Sequence, residues 1–125
     1  MYDGTLNILG LMSGTSLDGM DAALVQFSEE NGLQWQLLEH FEFEYPDALK
    51  TLVNNCFKDA SLKSEVDQAF SDWTIACIER IKGKTAYEIH AVGSHGQTIF
   101  HDPQNNYTFQ AGCLAAIAQA TGITC

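Results

Sequence analysis

Residues 11–21 read Leu-Met-Ser-Gly-Thr-Ser-Leu-Asp-Gly-Met-Asp and separate two apolar runs, Ile8-Leu9-Gly10-Leu11-Met12 and Ala22-Ala23-Leu24-Val25-Gln26-Phe27. Near-continuous apolar runs of this length mark strands in the middle of a sheet covered on both faces. The segment between them must therefore turn the chain in a short loop. Gly14 and Gly19 let the backbone bend sharply and approach a ligand closely. Successive backbone N–H groups, with the Ser13, Thr15 and Ser16 hydroxyls beside them, form a concavity suited to phosphate oxygens. Hydrogen bonds to a charged group contribute about 1.5–3 kcal/mol each, so a few of them hold a nucleotide tail without a lysine.

The spacing of Gly14 and Gly19 is that of a Walker A loop, but the resemblance stops there. That motif requires Lys and then Ser or Thr, and Met20 and Asp21 stand in their place. The following element also reads as a strand and not a helix. A P-loop NTPase is disfavoured. The alternative to a phosphate loop is a tight β-hairpin whose glycines serve only the turn.

A chain of 125 residues is one domain's worth, and its 46% hydrophobic content supports a real core. The formal net charge of −10 argues against nucleic acid and against anionic membrane surfaces as partners. It leaves a phosphate ligand open, because Mg²⁺ and backbone amides supply local positive potential. The basic residues Lys50, Lys58, Lys63, Arg80, Lys82 and Lys84 lie outside the glycine loops and are expected on solvated helix faces. No Cys-x-x-Cys occurs among Cys56, Cys77, Cys113 and Cys125. The first three fit as small core residues of helices, and a reducing cytoplasm is the expected compartment. No signal peptide precedes the first strand, and no apolar run is long enough to span a bilayer.

Asn31-Gly32 signals a hairpin. Beyond it, Leu33, Trp35, Leu37, Phe41, Phe43 and Tyr45 alternate with polar residues, with a break at Leu38 and Glu39. That pattern predicts a third strand with one wet face, near the sheet edge. Pro46 and Asp47 open a helix, in which Leu49, Leu52, Val53, Cys56 and Phe57 keep helical spacing. A second helix runs from about Ser61 to Lys82, with Val66, Phe70, Trp73, Cys77 and Ile81 as its stripe and Gly83 as its stop. Ile89 to Gly93 predicts a short buried strand, Tyr107 to Gln110 a further one, and Cys113 to Thr121 a short helix ended by Gly122. Ile123-Thr124-Cys125 begins another strand. Three antiparallel strands, helices, a strand, a helix and a strand form an α/β order that resembles the opening half of an RNase H-like, actin-type domain with a mixed sheet.

A second constellation, Gly93-Ser-His-Gly-Gln-Thr-Ile-Phe-His101 with Asp102 and Pro103, falls at the C-terminal end of the fourth strand. Ligands gather at that edge of α/β sheets. His95, Gln97, Thr98 and His101 offer groups of the kind that read sugar hydroxyls; the alternative is a polar turn whose histidines satisfy nearby carbonyls. His95 and His101 lack a third ligand, which disfavours a structural zinc. A Ser94–His95 nucleophile pair is disfavoured because adjacent strand residues point to opposite faces. Gln110, Ala111 and Gly112 open the last helix, whose N-terminus either faces an anion or sugar hydroxyl or simply starts with a glycine for packing.

These segments resemble the N-terminal part of the anhydro-N-acetylmuramic acid kinase family. The matching residues are 10–21, 93–101 with Pro103, Gln110-Ala111-Gly112 and Thr121-Gly122-Ile123-Thr124. The resemblance implies the sugar kinase, Hsp70 and actin superfamily, with two RNase H-like domains and ATP and sugar in the cleft between them. It implies an ATP- and Mg²⁺-dependent enzyme that adds water to 1,6-anhydro-N-acetylmuramic acid and yields N-acetylmuramic acid 6-phosphate in cell-wall recycling. By the same resemblance Gly14, Thr15, Ser16, Leu17, Asp18, Gly19, Met20 and Asp21 bind ATP, and His95, Gln97 and Thr98 face the sugar. Family members are much longer than this chain. The expectation is an N-terminal RNase H-like domain over 1–125, truncated, with the second domain and the general-base aspartate beyond residue 125. No aspartate here substitutes for that base, so the 125-residue chain alone is expected to be inactive. A homodimer of the full-length protein is left open. The other readings are a kinase of another sugar, a non-catalytic sugar- or phosphate-binding module, and an interaction domain docking through an apolar surface.

Overall fold

A computed structural model describes residues 4–14 and 18–125; of the candidate ATP-binding residues, Thr15, Ser16 and Leu17 lie outside the described set. Strands β1 (Thr5–Ser13), β2 (Gly19–Ser28) and β3 (Gln34–Glu44) form an antiparallel meander. Helices α1 (Asp47–Lys58) and α2 (Lys63–Lys84) then carry the chain to β4 (Ala91–Ser94), which pairs parallel with β1. Parallel pairing requires such a crossover. The order β3-β2-β1-β4 is the mixed, RNase H-like sheet that the element pattern predicts. Strands β5 (Gln97–Asp102) and β6 (Tyr107–Ala111) make a separate hairpin, and α3 (Leu114–Thr121) follows. The chain then returns beside β4, where the Val92 N–H donates to the Thr124 carbonyl at 2.8 Å in a parallel bridge.

The core lies on one face of the sheet. Leu9, Leu11, Met20, Ala22 and Leu24 pack with Leu49, Val53 and Cys56 of α1 and with Val66, Phe70, Cys77, Ile78 and Ile81 of α2. The apolar runs of β1 and β2 predict cover on both faces, but Met12, Trp35 and Leu37 on the outer face stay more than half exposed. Among the described residues, no helix is long and apolar enough to cross a membrane.

Three local expectations are corrected. The break at Leu38 and Glu39 is a β-bulge: Leu24 pairs with Glu39 while Val25 pairs with Leu37. An extra residue reverses the parity of the strand. Phe41, Phe43 and Tyr45 therefore turn inward, whereas Trp35 and Leu37 face out, and the apolar set divides between two faces. Gly83 does not stop α2, which continues to Lys84 and ends at the extended Thr85. Cys113 is exposed and precedes α3, although Cys56 and Cys77 are buried as expected.

Lys58, Arg80, Lys82 and Lys84 are exposed as expected, while Lys50 and Lys63 are partly buried, and several of these side chains have specific partners. The Lys63 ammonium sits 4.3 Å from the Tyr107 ring centre and 5.5 Å from that of Phe100, tying α2 to the β5–β6 hairpin. Arg80 lies over Phe43. Lys82 donates to the Thr121 carbonyl at 3.1 Å and so satisfies the C-terminal end of α3.

Candidate functional site

The two stems of the β1–β2 loop are held differently. Ser13 is buried at the end of β1, and Gly14 beyond it is exposed. At the other stem β2 begins on Gly19, where a Cβ would lie 2.3 Å from the Phe43 carbonyl oxygen. Only glycine lets β2 approach β3 that closely. The loop borders a cleft of about 630 Å³ lined by Gly14, Asp18, Gly19, Met20, Asp21, Glu42, Phe43 and Glu44. The Met20 side chain is buried in the core, so Met20 presents only its backbone there. β2 follows the loop directly, which removes the helix that a Walker A site needs.

Four carboxylates, Asp18, Asp21, Glu42 and Glu44, line this cleft. Uncomplexed polyphosphate would meet like charge, whereas hard carboxylate oxygens suit a divalent cation of the Mg²⁺ type. Asp21 pairs with Glu42 and Ala23 with His40 across β2 and β3, so the three side chains share one face. Their donor atoms lie within 4.8 Å of one another, and His40 Nε2 is 3.7 Å from Asp21 Oδ1. Sequence reading missed His40 and Glu42. Their signal was the polar alternation of the third strand, which means nothing until the register with Asp21 is known.

The second loop follows β4. His95 is exposed, and Gly96 has φ +71° with its N–H donating to Ser94 Oγ at 3.2 Å. Gln97 is 1% exposed, and its side chain is engaged within the protein. Its Oε1 accepts from the Tyr45 hydroxyl at 2.6 Å and its Nε2 donates to the Thr98 carbonyl at 3.1 Å. Of the sugar-facing trio, His95 and Thr98 are thus the ones that keep side chains at the surface. Gln110 braces both, donating to the His95 carbonyl at 2.8 Å and approaching Thr98 Oγ1 at 3.4 Å. His101 pairs instead with Thr108 across the hairpin, 2.9 Å apart. A trough of about 430 Å³ runs over the outer face from His95 past Gly93 and Gly10 to His40 and Asp21. Asp21 borders both clefts.

Helix α2 positions what surrounds them. Asp67 Oδ1 accepts from the Gly112 N–H and Ser71 Oγ from the Cys113 N–H, each at 2.8 Å. Those amides at the start of α3 are therefore occupied. Gly112, at φ +118°, would place a Cβ 3.4 Å from both the Gly96 Cα and the Phe70 ring, in line with a packing role for that glycine. Tyr45, absent from the sequence reading except as an apolar strand residue, is 3% exposed and lies edge-on to Trp73 at 4.8 Å and Phe70 at 6.0 Å. Burial pushes its phenol pKa up from the ordinary value, opposed by a hydrogen bond from the Ser13 side chain and reinforced by the Asp18 charge.

The sequence model of the family described as Anhydro-N-acetylmuramic acid kinase matches residues 6–125. The chain is 40% identical to the anhydro-N-acetylmuramic acid kinase of Acaryochloris marina, over 94% of this chain and 33% of that protein. It is 44% identical to the protein of that name from Hydrogenovibrio crunogenus, over 93% of this chain and 33% of the relative. The Vibrio cholerae protein of the same name is 39% identical with the same coverage. The chain thus spans about a third of the length of the curated relatives it matches.

Proposed function

This chain belongs to the anhydro-N-acetylmuramic acid kinase family, and we propose that it supplies the phosphate-binding and part of the sugar-binding wall of such a kinase. In the full-length protein, residues 1–125 belong to an N-terminal RNase H-like domain, and a second domain closes the cleft. The reaction consumes MgATP and water, opens the 1,6-anhydro ring, and leaves N-acetylmuramic acid 6-phosphate in the cytoplasm. The observation that carries this reading is that Asp21 lines both the carboxylate-lined cleft beside the first glycine loop and the trough edged by His95 of the second.

The roles follow from that layout. Gly14, Asp18, Gly19 and Met20 bind the ATP phosphates, together with Thr15, Ser16 and Leu17 as the family resemblance implies. Asp18 and Asp21 would hold Mg²⁺, which would supply positive charge against the transferring phosphoryl group. His95 and Thr98 contact sugar hydroxyls, while Gln97 shapes the loop from beneath. A base outside this chain takes the proton from water attacking the anomeric carbon, and the C6 oxygen released there receives the γ-phosphoryl group. Positioning both reactants in one closed cleft supplies much of the rate.

The test is to incubate the full-length protein with ATP, Mg²⁺ and 1,6-anhydro-N-acetylmuramic acid and to identify the product by mass. Equimolar ADP and N-acetylmuramic acid 6-phosphate are expected. Turnover confined to ring-opened muramic acid or another sugar would overturn the substrate assignment, and no ADP release with any sugar would overturn the kinase. The isolated 125-residue chain is expected to release no ADP above a blank without enzyme.

A further inference from the structure

We propose that Tyr45 is a positioning residue that locks the phosphate loop and the sugar-facing loop into one register, an inference that rests on the kinase reading above. Two segments remote from each other in sequence meet at this residue. Its backbone N–H donates to the Asp18 carbonyl at 3.3 Å, at the trailing stem of the phosphate loop. Its hydroxyl donates at 2.6 Å to Gln97, in the second loop.

The residue is well placed to act as a rigid link. The ring is held edge-on between Phe70 and Trp73. Tyr45 also precedes Pro46, which restricts its backbone to extended conformations. Gln97 cannot drift, because its amide is tied to Thr98 and it is 1% exposed. A shift of either loop is therefore passed to the other through Tyr45, whose backbone holds the first loop and whose phenol oxygen holds the second. The phosphate donor rests on the first loop and the C6 acceptor on the second, so their separation depends on this bond. A misplacement of about 1 Å between reacting groups costs about a hundredfold in rate.

Tyr45→Phe keeps the ring and removes the hydroxyl. In the full-length enzyme kcat is expected to fall about tenfold or more, while KM for ATP and for the sugar each change less than about threefold. Gln97→Met, which leaves the aromatic packing alone, is expected to do the same, and the double variant to lose no more than the worse single one. Hydrogen exchange of 18–20 and 94–98 is expected to quicken together in both variants, a readout independent of turnover. Quickened exchange in both variants of a full-length protein that itself shows no kinase activity would leave the link standing and refute the kinase. Wild-type kcat and exchange in Gln97→Met, a loss confined to KM, or additive effects in the double variant would each overturn the proposal.

Discussion

The Gly96 Cα faces the Ala111 carbonyl so closely that a Cβ built on it would lie 2.0 Å from that oxygen. Its φ of +71° is in the left-handed region, so a side chain is excluded by both space and backbone conformation. This contact seats the start of β5 on β6 and fixes where His95 and Thr98 stand. Gly96→Ala is expected to lower stability by about 2–4 kcal/mol, read from urea denaturation midpoints. A variant of wild-type stability would show that the loop has another conformation available.

Asn7, 6% exposed, ties the start of β1 to the segment entering β4. Its Nδ2 donates to the Glu88 carbonyl at 2.8 Å and its Oδ1 accepts from Gln26 at 3.0 Å. Its backbone exchanges hydrogen bonds with His90. Asn7→Leu keeps the branched shape but leaves partially buried partners unpaired, and is expected to cost about 1–3 kcal/mol in urea unfolding. A change under about 0.5 kcal/mol, the range of an ordinary surface substitution, would count against this clamp.

The strands, the helices and the glycine loops were legible because each depends on local pattern. Gly122, in the left-handed conformation, ends α3 where the sequence places the stop, and Asn31 and Gly32 both take positive φ in the predicted turn. What escaped depended on contacts remote in sequence. Leu38 and Glu39 read as a flaw in alternation, and only pairing with Leu24 and Val25 makes them a bulge that moves Tyr45 inward. Lys63 read as a solvated charge because the rings it covers belong to a hairpin some forty residues away. Gln97 read as a ligand group because nothing nearby in sequence announces the Tyr45 hydroxyl that holds it. Gly83 read as a stop, yet nothing in the space around it opposes helix, and α2 passes through.

Alkaline pH should weaken the fold through its buried acids. Burial pushes the Cys77 thiol from 9.0 up to about 11, with Arg80 pulling partly back. Burial also raises Cys56 and Tyr45. Between 9.0 and about 11 the native chain keeps the Cys77 proton that the unfolded chain has released. The unfolded state then binds fewer protons, so stability falls as pH rises across that window. Cys77→Ala is expected to flatten the fall in thermal midpoint over the same range. An equally steep fall in the variant would place its origin elsewhere.

Gly14 stands exposed at the mouth of the carboxylate-lined cleft, where its lack of a side chain leaves room for close approach of a ligand to the backbone. The most direct measurement is ATP-dependent formation of N-acetylmuramic acid 6-phosphate by the full-length enzyme and by its Gly14→Val variant, with thermal midpoints recorded for both. The branched side chain should obstruct the phosphates and lower kcat/KM for ATP by about a hundredfold, roughly 2.7 kcal/mol of transition-state stabilisation, with the midpoint nearly unchanged. Turnover equal to wild type in a folded Gly14→Val protein would mean that the bend between β1 and β2 does not cradle the nucleotide.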